Sequence, residues 1–132
     1  MKTTHRGSCH CEAVRFECEL DTGIATRKCN CSWCSKTRFW KVFVPAGGFR
    51  LLQGESELAE YRFGTGIAGH RFCRRCGVNL FLRIDLGDAE PGHVVNLACL
   101  DGEPSLRDAF DVIYEDGRND NWWASPARTQ HL

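Results

Sequence analysis
The sequence predicts a small, mainly β domain with little helix, and three observations carry that prediction. Short alternating or β-branched and aromatic runs recur along the chain, turn-forming clusters separate them, and cysteines stand in spaced groups able to clip distant segments together. At 132 residues the chain suits one domain, 1–132, with an ordinary core. Hydrophobic residues make up 42% and charged residues 26%, a globular balance rather than a disordered or fibrous one.

Ala13 to Cys18 (A-V-R-F-E-C) alternates with period two, and Phe39 to Val44 (F-W-K-V-F-V) is aromatic and β-branched. Glu57 to Phe63, Arg71 to Cys73, Asn79 to Ile84, His93 to Leu97 and Asp111 to Tyr114 are further strand candidates. Turn chemistry falls between them: P-A-G-G at 45–48, F-G-T-G at 63–66, L-G-D at 86–88, D-G-E-P at 101–104 and E-D-G-R at 115–118. Only Ser32 to Thr37 reads as a helical turn, with Ser32 as its N-cap. Gly64, Gly66 and Gly69 spell G-x-G-x-x-G, but the segment runs into strand residues instead of a helix, so it reads as a turn and not as a dinucleotide loop.

Lys plus Arg is 17 and Asp plus Glu is 17, so charge gives no general argument for nucleic acid or an anionic membrane. The start, M-K-T-T-H-R-G-S-C, lacks the apolar core of a secretory signal, and no apolar run approaches a membrane span. Nine cysteines are the strongest deviation. Their odd count and their clustering, with no secretion signal, favour thiolates on metal in a reducing, cytoplasmic setting over disulfides.

Cys9 and Cys11 form C-x-C, Cys29, Cys31 and Cys34 form C-x-C-x-x-C, and Cys73 and Cys76 form C-x-x-C before Gly77. In a strand, residues i and i+2 share a face, so C-x-C presents both sulfurs to one ion after a modest bend. C-R-R-C-G reads as a zinc knuckle whose Gly77 takes positive φ as the chain leaves. The simplest assignment closes one tetrahedron from Cys9, Cys11, Cys73 and Cys76, with Arg74 and Arg75 offsetting a local charge of about −2. Free structural cysteines or a disulfide pair are the alternative there. Cys18 and Cys99 fall in apolar strand readings and are expected in the core. The trio Cys29, Cys31 and Cys34 then lacks an evident fourth cysteine. Three protein ligands and an open position mark a catalytic zinc that holds water or a substrate thiol. The competing reading is a second structural site completed by a His, an Asp or Cys99. Two zinc ions on seven ionised thiols leave the holoprotein mildly acidic, which weakens a nucleic-acid role further.

With these residues in view, the sequence resembles the glutathione-dependent formaldehyde-activating enzyme (GFA) family. The matching residues are G-S-C-H-C-E-A-V-R-F at 7–16, C-N-C-S-W-C-S-K at 29–36, H-R-F-C-R-R-C-G-V-N-L-F at 70–81 and D-G-R-N-D-N-W-W at 116–123. The resemblance implies an Mss4-like β-tent of short antiparallel strands, with little helix, clipped by a four-cysteine zinc knuckle. It implies a structural zinc on Cys9, Cys11, Cys73 and Cys76 and a second, exchangeable zinc on Cys29, Cys31 and Cys34. It also implies carbon–sulfur lyase chemistry on a small thiol adduct, most concretely glutathione plus formaldehyde to or from S-hydroxymethylglutathione. Glu12 departs from the family pattern, standing where glycine is frequent. The chain is also shorter than the enzymes for which the family is named.

Arg38, Lys41 and Arg71 are candidates for the carboxylates of a peptide-like thiol, and Trp33 and Trp40 for the walls of a cleft beside the trio. Solvated charges and core aromatics are the bland reading of the same residues. His10 alternates away from its flanking cysteines, whereas His70 precedes the knuckle and is placed to face the cleft. Trp122 and Trp123 either cover the core or form an oligomer contact; a homo-oligomer is allowed but not indicated. The sequence leaves two rival functions open. One is a non-catalytic interaction module of the same fold, and the other a methionine sulfoxide reductase-like redox enzyme using Cys99.

Overall fold
The computed structural model describes residues 2–21, 23–103 and 105–132, so Met1, Thr22 and the Pro104 end of the expected D-G-E-P turn lie outside it. Among the described residues, ten strands form two sheets. The smaller has the order β1-β2-β5, from β1 (Lys2–Ser8), β2 (Arg15–Asp21) and β5 (Phe49–Gln53). The larger has the order β10-β3-β4-β9-β8-β7-β6, from β3 (Thr26–Cys29), β4 (Trp40–Val44), β6 (Leu58–Tyr61), β7 (Ala68–Cys73), β8 (Asn79–Ile84), β9 (Gly92–Asn96) and β10 (Val112–Glu115). Among the described residues, helix is confined to α1 (Ser32–Thr37), α2 (Ser105–Asp108) and single 3-10 turns. This is the Mss4-like β architecture, with the sheets as the two slopes of a tent.

The pleat sets the core. In β2 the alternation sends Phe16, Cys18 and Leu20 inward, all fully buried, and Arg15, Glu17 and Glu19 outward. The larger sheet answers with Val42, Phe81 and Val95, one row across paired strands. Phe49 of β5 joins the slopes: its ring lies 5.6 Å from Phe16, 4.6 Å from Phe81 and 4.3 Å from His93. Truncating a fully buried ring such as Phe16 to Ala would cost about 3–5 kcal/mol.

The strands that periodicity does not reveal have local reasons to be silent. β1 (K-T-T-H-R-G-S) has no apolar residue and is recruited by full-length antiparallel pairing with β2. β3 spans only four residues, and β5 (F-R-L-L-Q) breaks the period-two pattern. The expectation of antiparallel strands needs one correction, because β10 runs parallel to β3. More than 80 residues separate those strands, ample length for the crossover that parallel pairing requires. Cys99 sits in the 3-10 turn Leu97–Cys99, not in a strand, while Cys18 lies within β2. The glycine-rich segment is the expected turn, with Gly64 and Gly66 at positive φ and Gly69 already in β7.

Candidate metal centres
Two groups of cysteine sulfurs converge, and the fold puts them in different places. In the first, β1 ends at Ser8 and the chain turns through Cys9 to Glu12, closed by Glu12 N–H donating to Cys9 O at 3.1 Å. C-x-C therefore lies in a turn and not in a strand. Glu12 has φ +63°, the left-handed region that glycine adopts without steric cost, so the expected departure from glycine falls on a position where glycine would be favoured. The knuckle forms where β7 ends. Gly77 N–H donates to Cys73 O at 2.8 Å, and Gly77 takes φ +81° as the sequence requires. Sγ of Cys9 lies 3.7 Å from that of Cys11, which lies 3.7 Å from that of Cys73. A tetrahedron with zinc–sulfur bonds of about 2.3 Å has edges of about 3.8 Å, so the spacing fits such an ion.

Offsetting charge at this centre comes from the backbone. Val14 N–H donates to Cys9 Sγ and Arg75 N–H to Cys73 Sγ, each at 3.4 Å, whereas the Arg74 guanidinium turns away to Leu58 O at 3.0 Å. Burial pushes the Cys9 thiol up to about 11, while Cys76, accepting backbone hydrogen bonds at Cys11 and Val78, is drawn down to about 6 against its own burial penalty. Metal loading at neutral pH must strip a proton from Cys9.

The second group lies on the outer face of the larger sheet. Cys29 ends β3, Cys31 is the N-cap of α1, and Cys34 is buried within that helix. Ser32 is thus not the cap. The Cys31 sulfur takes that role, accepting from Cys34 N–H at 3.4 Å, while Cys31 N–H donates to Cys29 Sγ at 3.3 Å. The three sulfurs lie within 4.8 Å of one another, and among the described residues no further His, Cys, Asp or Glu joins them. Cys31 is held down to about 2 because the thiols of Cys29 and Cys34 hydrogen-bond to it. Those same contacts push Cys34 far up, with burial adding to them, and Cys29 is also raised. Metal loading must therefore strip protons from Cys29 and Cys34.

The C-terminal segment is the other wall. Gly117 approaches so closely that a Cβ there would lie 2.6 Å from Cys29 Sγ and 2.5 Å from the Trp122 ring. Asn30, between two of the cysteines, is 8% exposed and clamps that segment. Its Nδ2 donates to Asp116 Oδ1 at 2.8 Å, and its Oδ1 accepts from Arg118 N–H at 2.9 Å. Lys41 supplies positive charge that favours the Cys34 thiolate. It pairs with Glu115 at 2.6 Å and lies 5.5 Å from the Trp122 ring.

Strand register decides which of the other expected residues share this face. Lys41 pairs with Arg27, two residues before Cys29, and so lies on the outer face. Trp40 pairs with Lys28 and points to the inner face, where its Nε1–H donates to Thr26 Oγ1 at 2.7 Å. Arg71 pairs with Phe81, also inward; it is bound to Glu60 at 2.6 Å and lines a hollow with Phe49 and His93. Arg38 closes α1 in the left-handed conformation, its guanidinium 3.4 Å from Leu132 O. The structure therefore brings neither Trp40 nor Arg71 to the trio. Trp33 does border it, on α1, its ring 4.2 Å from His70. His70 is 5% exposed and donates Nδ1–H to Tyr61 O at 3.0 Å; burial lowers its pKa and keeps it neutral. Trp122 packs on Gly117 beside Cys29, whereas Trp123 is 90% exposed. The sequence reading missed Asn30, Glu115 and Gly117, whose importance arises from contact across about 86 residues and not from local pattern.

Cys99 is buried, its Sγ–H donating to Asn79 O at 3.4 Å, and burial pushes its thiol up to about 12. That is the reverse of what a redox nucleophile needs. Cys18 is likewise pushed up to about 12, first by burial and then by Glu17.

Residues 4–116 match the family model described as glutathione-dependent formaldehyde-activating enzyme. The chain belongs to that family. It is also similar to a crystal structure of a Rhodobacter sphaeroides protein, a structural-genomics target, at 35% identity and a TM-score of 0.69 over 83% of this chain and 98% of that one. It is thus a member of an enzyme family and carries two cysteine clusters able to hold a metal ion. Among the described residues, no helix is long and apolar enough to cross a membrane.

Proposed function
We propose that this GFA-family chain forms one catalytic domain, 1–132, with two zinc ions, and makes or cleaves the carbon–sulfur bond of a small-thiol adduct in the cytoplasm. The concrete reaction is glutathione plus formaldehyde to or from S-hydroxymethylglutathione. Cys9, Cys11, Cys73 and Cys76 hold the structural zinc. Cys29, Cys31 and Cys34 hold the second. The observation that carries the reading is a cluster of three cysteines, at metal spacing, with no fourth His, Cys, Asp or Glu among the described residues.

When bound at that cluster, zinc supplies Lewis acidity that stabilises a thiolate at neutral pH. The chain's own residues do the rest. Lys41 adds positive charge beside Cys34 that favours its thiolate. Trp122 and Gly117 cover the Cys29 side and exclude water from it. Trp33 and neutral His70 form an apolar wall on the helix side. In the forward direction the substrate sulfur bonds to the aldehyde carbon, the carbon–oxygen π pair moves onto oxygen, and the thiol proton ends on that oxygen. Proximity and charge stabilisation account for the rate.

The test is exchange-NMR measurement of glutathione–formaldehyde interconversion with zinc-loaded protein. Rate enhancement over the spontaneous reaction, lost in Cys31→Ala but retained in Cys18→Ala, supports the reading. An adduct rate equal to the protein-free rate would sink it.

A further inference from the structure
A largely buried ion pair stands beside the trio. Glu115 of β10 is in register with Cys29, and Lys41 of β4 pairs with Arg27, two residues before that cysteine. Lys41 Nζ lies 2.6 Å from Glu115 Oε1. It also lies 5.5 Å from the Trp122 ring, which packs on Gly117 against Cys29. An ammonium held in so dry a place is costly unless the charges around it compensate.

The compensation from Glu115 is incomplete. Arg27 shares the same carboxylate at 3.4 Å, so two cations meet one anion. Elsewhere on this sheet the count is even, with Arg62 and Arg71 on Glu60 and Asp85. Asp116 and Arg118, the next charged groups along the segment, offset each other. A local charge of about +1 therefore remains at the wall of the trio. The four-cysteine cluster is built differently: Arg74, inside its knuckle, turns the guanidinium away to Leu58 O. Three thiolates on a divalent ion carry about −1. A neutral fourth ligand leaves that charge unchanged, and an anionic one takes it to about −2. A nearby cation is worth most in the second case, because Coulomb energy follows the product of the charges. The same ammonium favours the Cys34 thiolate.

We propose that Lys41, held in place by Glu115, is the specificity-determining residue of the trio: it selects an anionic ligand over a neutral one at the open position of the metal ion. The inference rests on the reading that this position is open, and the test separates the two.

Protein loaded with cobalt at both clusters is titrated with azide, an anion, and with imidazole, a neutral donor, and followed by the visible absorption of the ion. The readout is the ratio of the two affinities, so damage that weakens both ligands alike cancels. Lys41→Met lowers the azide-to-imidazole ratio about tenfold, and Lys41→Arg restores most of it. Arg27→Gln, at a half-buried side chain, leaves the Lys41–Glu115 pair in place and lowers the ratio about twofold. Glu115→Gln breaks the same pair as Lys41→Met but removes the anion, and it raises the ratio about threefold. Opposite shifts from two variants that break one ion pair cannot come from lost packing. A ratio unchanged in Lys41→Met, or moved the same way by Lys41→Met and Glu115→Gln, overturns the role of Lys41 and leaves the open position standing. If Lys41→Met does not fold, Arg27→Gln and Glu115→Gln decide by the same signs. Wild-type absorption that responds to neither ligand overturns the open position, and the role of Lys41 with it.

Discussion

Gly117→Ala is the most selective perturbation the structure offers. Gly117 does not lie in the left-handed region, so alanine is acceptable to the backbone and the effect is steric. The new methyl would lie 2.6 Å from Cys29 Sγ and 2.5 Å from the Trp122 ring. Ordinary non-bonded contact is about 3.5–4.0 Å, so roughly 1 Å must be recovered from each neighbour. Trp122 is 39% exposed and can swing outward; Cys29 is 2% exposed and ends a strand paired on both sides. The strain therefore falls on the sulfur. Overpacking of this kind costs about 1–3 kcal/mol, and if it acts on ligand position the second metal ion loses roughly 5- to 150-fold in affinity. The assay is chelator competition followed at both sites. Cys9, Cys11, Cys73 and Cys76 are the internal control, since Gly117 does not contact them. A variant holding two zinc ions with unchanged affinities would refute the claim that Gly117 and Cys29 form one packed wall.

Three further outcomes follow from the same contacts. Cys73→Ser removes a fully buried ligand that joins β7 to the N-terminal turn; a loss of at least about 3 kcal/mol is expected, read as a drop of roughly 10 °C in Tm. Unchanged melting of the zinc-loaded variant would show that this cluster does not hold the tent together. Glu60 is held below its usual range by Arg62 and then Arg71, so its contribution is full above the ordinary carboxylate pKa and disappears as pH falls through the lower folded value. Glu60→Gln should lower stability at pH 7 by about 1 kcal/mol and make the acid decline shallower, and an acid limb identical to wild type in urea melts would contradict it. Lys41 and Glu115 pair at 2.6 Å with side chains 13% and 9% exposed. Lys41→Met leaves Glu115 only its longer contact with Arg27, at 3.4 Å, and should cost about 2 kcal/mol, and Lys41→Met/Glu115→Gln should recover much of it; a strictly additive double variant would mean the pair is not coupled.

The two cysteine clusters were legible because their spacing is local: C-x-C and C-x-x-C fix sulfur spacing within a turn, and only the partnering of the first and third groups is a long-range fact. The strands that alternate, such as R-F-E-C-E-L, were legible for the same reason. β1 was not, because nothing in K-T-T-H-R-G-S is apolar, and its place follows from β2's need for a partner. The facing of side chains was also out of reach. Trp40 and Lys41 are adjacent in sequence and lie on opposite faces of the sheet, and only the register of β3 against β4 shows that Lys41 faces the trio. His70 and Arg71 divide in the same way.

The two cysteine clusters are set differently in the fold. The first cluster joins the turn after β1 to the end of β7, so it ties segments that the two sheets hold separately. Its four sulfurs lie close enough together to complete the tetrahedron of one ion, which would leave no position for chemistry. The second cluster sits at the end of β3 and in α1, all within six residues, so it closes no long loop and adds little to the connectivity of the fold. Its distant contacts are made instead by Asn30 to Asp116 and Arg118, groups that bind no metal. The C-terminal segment is thus anchored without consuming a fourth ligand, and an ion at the trio can exchange or take up a thiol while the fold around it stays closed.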